Sequence, residues 1–335
     1  MMTRRSTGKT RIARSLWYAA KGAVELRLAP LARPKPGEAL VRTLFSGISR
    51  GTERLVFSGA IGQSEWERMR GPNQGGTFPF PVKYGYCATG VVEEGSSELM
   101  GRTVFCLHPH QDFFVVPVGA LVPVPDGVPA RRATLAANME TALNALWDAG
   151  AGPGDRIVVV GAGVLGLLVA ALAARLPGAE VTAVDIDQGR RPVVQSLGAQ
   201  FASPKQAPGE ADIVFHASVT AAGLNTAINC AGFEGTIVEM SWYGDKPVQV
   251  DLGGTFHSRR LKLVSSQVGH VSPSRRPRWS HRRRVEAAVA LLAAMPALDA
   301  LVAEEIAFED AARELPRILG PGGQGLAPVI RYPKA

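Results

Sequence analysis

The sequence predicts an α/β protein with two domains, one built on a doubly wound parallel sheet and one mostly β. From Pro153 to about Ser266, short β-branched runs alternate with helical segments, an order typical of a parallel sheet. The first of these runs is followed by glycines in the spacing G-x-G-x-x-G. Residues 15–118 instead contain strand-like runs separated by Pro and Gly, and the tail of the chain mixes strands and helices. We therefore predict a discontinuous mostly β domain over 1–139 and 268–335, with the parallel-sheet domain over 140–267.

The glycines of residues 155–187 define the most informative motif. Gly161 permits a tight turn, Gly163 lets a pyrophosphate approach the backbone, and Gly166 lets helix and strand pack closely. The N-terminus of the helix that follows offers free N–H groups and a positive dipole end to phosphates. This arrangement predicts a Rossmann dinucleotide-binding unit.

An acidic residue bears on the identity of the dinucleotide. Asp185 ends the second strand of this unit, at roughly the 20-residue spacing where a carboxylate binds the adenosine ribose hydroxyls. The same carboxylate repels a 2′-phosphate, which favours NAD(H) over NADP(H). Arg190 and Arg191 follow closely and could partly offset that repulsion.

Composition and the lengths of the apolar runs indicate the cellular location of the protein. The 335 residues are enough for two cores, and 46% of them are hydrophobic. The longest apolar run, within Ile157–Leu176, is broken by glycines, and no apolar signal-peptide core follows the basic N-terminus. Cys87, Cys106 and Cys230 form no spaced framework. We expect a cytoplasmic protein that needs no membrane.

The net charge of +8 comes largely from arginine, with one dense cluster near the C-terminal end. Its members are Arg275, Arg276, Arg278, Arg282, Arg283 and Arg284. No nucleic-acid motif accompanies the cluster, so we favour a solvated loop and helix start and expect no nucleic-acid partner. Binding of an acidic small molecule is the alternative.

Several segments resemble the medium-chain dehydrogenase/reductase superfamily of the zinc alcohol dehydrogenase type. They are GISRGTE at 47–53, KYGYCATGVV at 83–92, GRTVFCLHPHQ at 101–111 and GAGVLG at 161–166. The resemblance implies a GroES-like catalytic domain for the mostly β part, an oxidoreductase acting on a small-molecule substrate, and a homodimer.

The zinc ligands of that family are missing from the matching positions. Ser49 stands where the family has Cys, Tyr86 stands where it has His, and Ala137 falls on the third ligand. The structural zinc lobe needs four cysteines, and residues 93–115 contain only Cys106. We therefore expect an NAD(P)-dependent enzyme that moves hydride between nicotinamide and a carbonyl or alcohol without zinc. Two alternatives remain: a quinone- or enoyl-type reductase using NADPH, and a non-catalytic dinucleotide-binding protein.

The resemblance and the residue chemistry indicate three catalytic candidates. His108 matches the position of a substrate-pocket aromatic, and its imidazole could exchange a proton near neutral pH. Tyr86 could hold a carbonyl oxygen through its phenol, and Thr52 resembles a proton-relaying hydroxyl. A regular strand would place His108 and His110 on one face with Cys106, which leaves a metal triad as an alternative.

Further site residues follow from the resemblance and from neighbouring positions. On the substrate side we expect Ser49, His110, Glu140 and Trp242. On the cofactor side we expect Val164, Leu165, Thr141, Met240, Ser241 and Ser265, with Arg190 near Asp185.

Overall fold

The computed structural model describes residues 11–333, and the chain forms two compact units within which the contacts are concentrated. Of the described residues, unit 1 comprises 11–134 and 304–333, and unit 2 comprises Leu135–Ala303. Most of the basic N-terminal segment lies outside the described residues, and Arg11 already belongs to a strand.

The elements are numbered in chain order. The strands are β1 Arg11–Ala20, β2 Ala23–Leu31, β3 Glu38–Gly47, β4 Gly75–Gly76, β5 Val82–Lys83, β6 Ala88–Glu94, β7 Thr103–Cys106, β8 Phe113–Pro117, β9 Val122–Pro123, β10 Arg156–Val160, β11 Glu180–Val184, β12 Gln200–Ala202, β13 Ala211–His216, β14 Ala231–Glu239, β15 Lys262–Ser265, β16 Glu305–Ala307 and β17 Val329–Arg331. The α-helices are α1 Arg50–Ser58, α2 Ala130–Ala133, α3 Ala136–Ala149, α4 Val164–Ala173, α5 Arg191–Ser196, α6 Ala221–Cys230, α7 Thr255–Ser258, α8 His281–Ala293 and α9 Ala311–Leu319. Short 3-10 helices cover Gln63–Glu65, Val118–Ala120, Gln188–Arg190, Pro204–Gln206, Pro296–Val302 and Phe308–Asp310.

Unit 1 is mostly β, as predicted. Its larger sheet has the order β16-β17-β3-β6-β7-β9, with β8 also paired to β3, and a smaller sheet has the order β2-β1-β5-β4. Alternate residues of β3 and β6 point inwards, so Val41 and Val92 pack with Val104 and Phe114 in one apolar core. Helix α1 begins at Arg50, shortly after β3 ends at Gly47, and its start supplies two candidate site residues, the N-cap Ser49 and Thr52.

Unit 2 contains the predicted parallel sheet, in the order β12-β11-β10-β13-β14-β15. The chain moves outwards from β10 to one edge and then returns to the other side of it, which makes β10 the topological switch point. The sheet strands are buried β-branched runs because helices cover them, and α4 is almost entirely buried. The predicted α/β fold class is confirmed.

Two helices frame the start of unit 2. Residues 130–149 form α2 and α3, which are separated at Thr134–Leu135, and α3 ends at Gly150, whose φ is 72°. The helix after the glycine motif begins at Val164, with Gly163 as its N-cap.

The predicted return of the chain to the mostly β domain at residue 268 was too early. Residues up to Ala303 belong to unit 2, since α8 packs on α3 through a buried ion pair between Arg284 and Glu140. A sequence pattern does not reveal this pairing, because the two side chains come from distant positions.

Among the described residues, no single helix is long and apolar enough to cross a membrane. The pair His281–Ala293 and Pro296–Val302, bent by 100°, reaches the necessary length and composition only when its two parts are combined.

Candidate functional site

The three glycines of unit 2 have distinct steric roles at the carboxyl end of β10. A Cβ on Gly166 would lie 1.8 Å from the carbonyl oxygen of Gly161, so only glycine allows this approach of helix and strand. Gly161 has φ 106°, and its Cβ would meet the backbone of Ser218 at 2.9 Å. A Cβ on Gly163 would meet nothing within 4 Å. The turn therefore leaves open space at the N-terminus of α4, where a phosphate would be bound by backbone N–H groups.

Asp185 lies beside this turn, at the end of β11. Its carboxylate accepts hydrogen bonds from the backbone N–H of Ala162 at 2.6 Å and of Asp187 at 2.8 Å. Each oxygen keeps a further lone pair for a ribose hydroxyl. Arg190 pairs with Asp187 at 3.1 Å, and Arg191 stacks on Phe201, so neither guanidinium is directed at the Asp185 carboxylate.

One apolar side chain at this edge of the sheet was not predicted. Ile186 follows Asp185 and is 85% exposed, which is unusual for an isoleucine next to a buried strand. The only sequence signal was its position directly after the acidic residue. Val164 and Leu165, which are predicted to contact the cofactor, are half-buried at the start of α4.

A hydrogen-bonded cluster joins the carboxyl ends of β13 and β14. His216 is fully buried, with Nδ1 2.8 Å from Glu239 and Nε2 2.7 Å from Ser218 Oγ. Glu239 also accepts hydrogen bonds from the Ser241 backbone N–H at 2.7 Å and from the Tyr243 hydroxyl at 3.0 Å. Burial opposes ionisation of Glu239, but His216 and the hydrogen bonds from Ser241 outweigh it and lower the pKa of the carboxyl group.

This cluster fixes the segment that contains three predicted residues. Met240, Ser241 and Trp242 are half-buried and follow β14 directly, while Ser265 ends the neighbouring strand β15. Thr141 donates a hydrogen bond to Ala137 within its own helix at 3.0 Å. Glu239, the acceptor that holds the segment, was not identified from the sequence.

Glu140, which we predicted to contact the substrate, is instead held in a buried ion pair. Its carboxylate is 2.9 Å from Nε of Arg284, and both side chains are almost completely buried. Arg284 also donates to Asn144 Oδ1 at 2.5 Å, to the His270 carbonyl at 3.1 Å and to the Val268 carbonyl. Arg284 therefore departs from the solvated cluster predicted for the C-terminal arginines. Four others, Arg275, Arg276, Arg278 and Arg283, are exposed as predicted, and Arg282 is half-buried.

Three predicted residues of unit 1 come together in a hydroxyl cluster. Tyr86 Oη lies 2.5 Å from Ser49 Oγ and 3.2 Å from Thr52 Oγ1. Ser49 is the N-cap of α1 and Thr52 lies in its first turn, so the start of one helix supplies both hydroxyls. Tyr86 and Thr52 are half-buried. Burial raises the pKa of Tyr86, and the phenol therefore stays protonated at neutral pH.

A second, sealed network lies next to the hydroxyl cluster. Glu53 accepts hydrogen bonds from the Ser49 backbone N–H at 2.7 Å, from the Tyr18 hydroxyl at 2.6 Å and from His110 Nε2 at 2.9 Å. His110 Nδ1 is 2.7 Å from Ser46 Oγ. The prediction that His110 contacts substrate does not agree with this geometry, because the imidazole is fully buried and both nitrogens are occupied.

His108 also differs from its prediction. Strand β7 ends at Cys106, so His108 is not on a regular strand, and its ring stacks on Phe114 at 4.0 Å. Its Nδ1–H donates to the Pro109 carbonyl at 2.9 Å. Burial, more than the nearby Lys83, lowers the pKa of His108 to about 3. The imidazole is neutral near pH 7 and has no proton at Nε2 to give.

The side chains do not fit a zinc ion. Within residues 11–333, no group of three or more His, Cys, Asp or Glu side chains is arranged to hold a metal. The alternative triad fails because both nitrogens of His110 are occupied and burial raises the pKa of Cys106 to about 12. Ser49 and Tyr86 offer hydroxyls where zinc prefers thiolate and imidazole.

Comparison with known proteins agrees with this fold. The family model for the alanine dehydrogenase/PNT C-terminal domain matches residues 144–232. D-xylulose reductase A from Aspergillus niger is 25% identical over 228 residues, which is 60% of this chain and 64% of the relative. The alignment thus spans less than two thirds of that relative.

Solved structures cover nearly the whole chain. L-idonate 5-dehydrogenase from Escherichia coli K-12 has a TM-score of 0.78 and 18% identity over 97% of this chain and 99% of its own. A candidate zinc-binding dehydrogenase from Sinorhizobium meliloti 1021, bound to NADP, has a TM-score of 0.76 and 17% identity over 96% of this chain and 99% of its own. The chain is thus similar to zinc-type alcohol dehydrogenase-like proteins of the medium-chain dehydrogenase/reductase superfamily over part of its sequence, and it shares the fold of the solved structures.

Proposed function

We propose that the protein is an NAD(P)-dependent oxidoreductase that moves hydride between nicotinamide and the carbonyl or alcohol of a small organic substrate without zinc. The observation that carries the proposal is the cluster of three hydroxyls, Tyr86, Ser49 and Thr52, in unit 1. Ser49 and Tyr86 stand where the family that the sequence resembles has zinc ligands, and Thr52 lies in the helix turn that Ser49 caps, so the three hydroxyls can transfer a proton without a metal.

The cofactor is assigned to unit 2. Backbone N–H groups at the start of α4 would hold the pyrophosphate above Gly163, and Asp185 would accept hydrogen bonds from the adenosine ribose. When bound, the nicotinamide supplies or accepts the hydride. The Asp185 carboxylate and the engaged Arg190 favour NAD(H), although the Sinorhizobium protein of the same fold binds NADP.

We assign proton donation to the substrate oxygen to Tyr86. Its phenol is protonated at neutral pH and can donate a hydrogen bond to a carbonyl oxygen, then its proton to the alkoxide that forms. Ser49 Oγ at 2.5 Å can pass a replacement proton to Tyr86, and Thr52 provides a second hydroxyl. His108 is left as a hydrogen-bond acceptor through Nε2.

The substrate is proposed to be a small polyhydroxylated carbonyl compound, because D-xylulose reductase A and L-idonate 5-dehydrogenase are named for a ketose and a sugar acid. A homodimer in the cytoplasm completes the proposal. Light scattering of the purified protein measures the assembly state.

The test follows nicotinamide absorbance while ketoses, aldehydes, simple ketones, enones and quinones are offered with NADH or NADPH. We expect turnover of carbonyls with NADH, and a loss of about 10²- to 10⁴-fold in kcat for Tyr86→Phe. Tyr84→Phe removes a buried phenol from the same segment while the residues that bond to Tyr86, Ser49 and Thr52, stay unchanged, and it serves as the control for folding.

Three outcomes would contradict the proposal. Reduction of enones or quinones alone, with NADPH, would indicate the enoyl or quinone reductase. Tight NADH binding without any turnover would indicate a non-catalytic dinucleotide-binding protein. One zinc per chain in elemental analysis, with activity lost on chelation, would refute zinc independence.

A further inference from the structure

The buried network around His110 contacts the hydroxyl cluster at two places, beside Ser49 and beside Tyr86. On one side, Glu53 accepts the backbone N–H of Ser49 at 2.7 Å and so fixes the N-cap residue of α1. On the other side, the backbone before Tyr86 lies against the imidazole. A Cβ on Gly85 would be 2.9 Å from His110 Cδ2, and the backbone N–H of His110 donates to the Tyr84 carbonyl at 3.3 Å.

We propose that His110 and Glu53 are a positioning pair that holds Tyr86 and Ser49 at hydrogen-bonding distance. Gly85 has φ 120°, a conformation that favours glycine, so a residue without a side chain stands where the backbone before Tyr86 lies against His110. The inference rests on the proposed function, because it gives a role to residues that support Tyr86 and touch no reacting atom.

The hydrogen-bond directions of the pair are determined by its partners. Glu53 is fully buried and takes three donors, so Nε2 of His110 must carry a proton. If His110 is neutral, Nδ1 then accepts from Ser46 Oγ–H, and the Ser46 oxygen can accept from Tyr332, 2.9 Å away. Every polar atom of the pair is satisfied, which is what keeps a buried charged group in one geometry.

The charge of Glu53 also acts on Tyr86. The pKa of Tyr86 is raised by burial first, by Cys87 next and by the Glu53 carboxylate as a smaller contribution, while hydrogen bonds to Ser49 and Thr52 lower it. Glu53 itself is held ionised by His110 and Tyr18 against the cost of its burial. The groups facing the pair are Tyr18 from β1, Ser46 from β3, Ser49 from α1, and Tyr84, Tyr86 and Cys87 from the segment after β5.

Two amide substitutions of one residue separate positioning from packing. The amide of Gln reaches the place of the imidazole Nε2, so His110→Gln keeps a donor to Glu53. The shorter Asn reaches the place of Nδ1, so His110→Asn keeps a partner for Ser46 and leaves Glu53 without that donor. We expect His110→Asn to lower kcat about 10- to 100-fold with little change in KM or in NADH affinity, and His110→Gln to retain kcat within about threefold.

A readout apart from activity is the titration of Tyr86, taken as the ultraviolet difference between each protein and its Tyr86→Phe counterpart. We expect Glu53→Gln to lower the pKa of Tyr86, because a nearby negative charge is removed. Asp112→Asn is the matched control: it breaks the half-buried pair with Arg14 in the same unit and touches neither Tyr86 nor Ser49. It should lower the melting temperature and leave both kcat and the Tyr86 titration unchanged.

Equal kcat in His110→Gln and His110→Asn, together with an unchanged Tyr86 titration in Glu53→Gln, would overturn the inference. Those results would leave the proposed function intact. The proposed function instead fails if Tyr86→Phe is fully active, and the titration then still reports whether Glu53 acts on the phenol.

Discussion

Replacing Arg284 with methionine should destabilise unit 2 more than any surface substitution. Met keeps the length and apolar stem of the side chain but removes the donors to Glu140, Asn144 and two backbone carbonyls. Side-chain exposures of 1% for Arg284 and 7% for Glu140 mean that solvent does not screen this pair. Removing one partner of such a pair costs about 3–5 kcal/mol, because the other charge stays buried without compensation.

The magnitude can be measured in two ways. For a unit of this size each kcal/mol lowers the melting temperature by about 2–4 °C, so Arg284→Met should melt about 6–20 °C lower. Hydrogen exchange followed by mass spectrometry reads α3 and α8 separately from unit 1. In the double variant Arg284→Met/Glu140→Leu, most of the loss should be recovered, because no buried charge remains.

A loss of less than about 1 kcal/mol in Arg284→Met, which is the range of an exposed pair, would contradict a sealed ion pair. A double variant no more stable than Arg284→Met alone would contradict it as well. In the first case the carboxylate of Glu140 would have to be protonated or hydrated in the folded protein.

The remaining predictions concern the glycine turn, the acidic residue and the buried histidine. Gly163→Val should fold normally, since its Cβ meets nothing within 4 Å, but should weaken NADH binding at least about tenfold by filling the phosphate space. Gly166→Ala should instead destabilise the fold by about 1–3 kcal/mol, because its Cβ would overlap the Gly161 oxygen at 1.8 Å. Asp185→Ala should reduce the preference for NADH over NADPH about tenfold in fluorescence titrations. The pKa of His108 lies at about 3 in the folded protein, below its ordinary 6.5, so the neutral ring stabilises the fold above pH 6.5. That stability should be lost at about 1.4 kcal/mol per unit as the pH falls from 6.5 towards 3, and urea unfolding of His108→Gln should lack this slope.

Each of these outcomes can fail separately. A Gly163→Val protein that binds NADH normally would place the cofactor elsewhere, and a fully stable Gly166→Ala would contradict the packing of α4 on β10. Unchanged cofactor preference in Asp185→Ala would remove the argument for NAD(H). Stability that is flat between pH 6.5 and 5 would mean that His108 is hydrated.

The sequence alone was enough to predict the glycine turn and the parallel-sheet unit around it. The glycine turn, the buried strand before it and Asp185 are close in the chain, and their spacing follows from local backbone geometry. The order of strand-like and helical segments likewise predicted both fold types, because periodicity is a local property. The hydroxyl cluster was predicted in part, since Ser49 and Thr52 lie on one helix turn and Tyr86 was matched by resemblance.

Only the tertiary structure decided which polar residues are sealed and paired. His110 binds Glu53 across 57 positions, and Glu140 binds Arg284 across 144. Both pairings arise from the packing of elements that are remote in the chain. In the sequence alone, a substrate contact or a solvated charge explains each of these residues as well as a buried pair does. Burial then fixes their chemistry, because a group removed from water must find its hydrogen bonds within the protein or change its protonation.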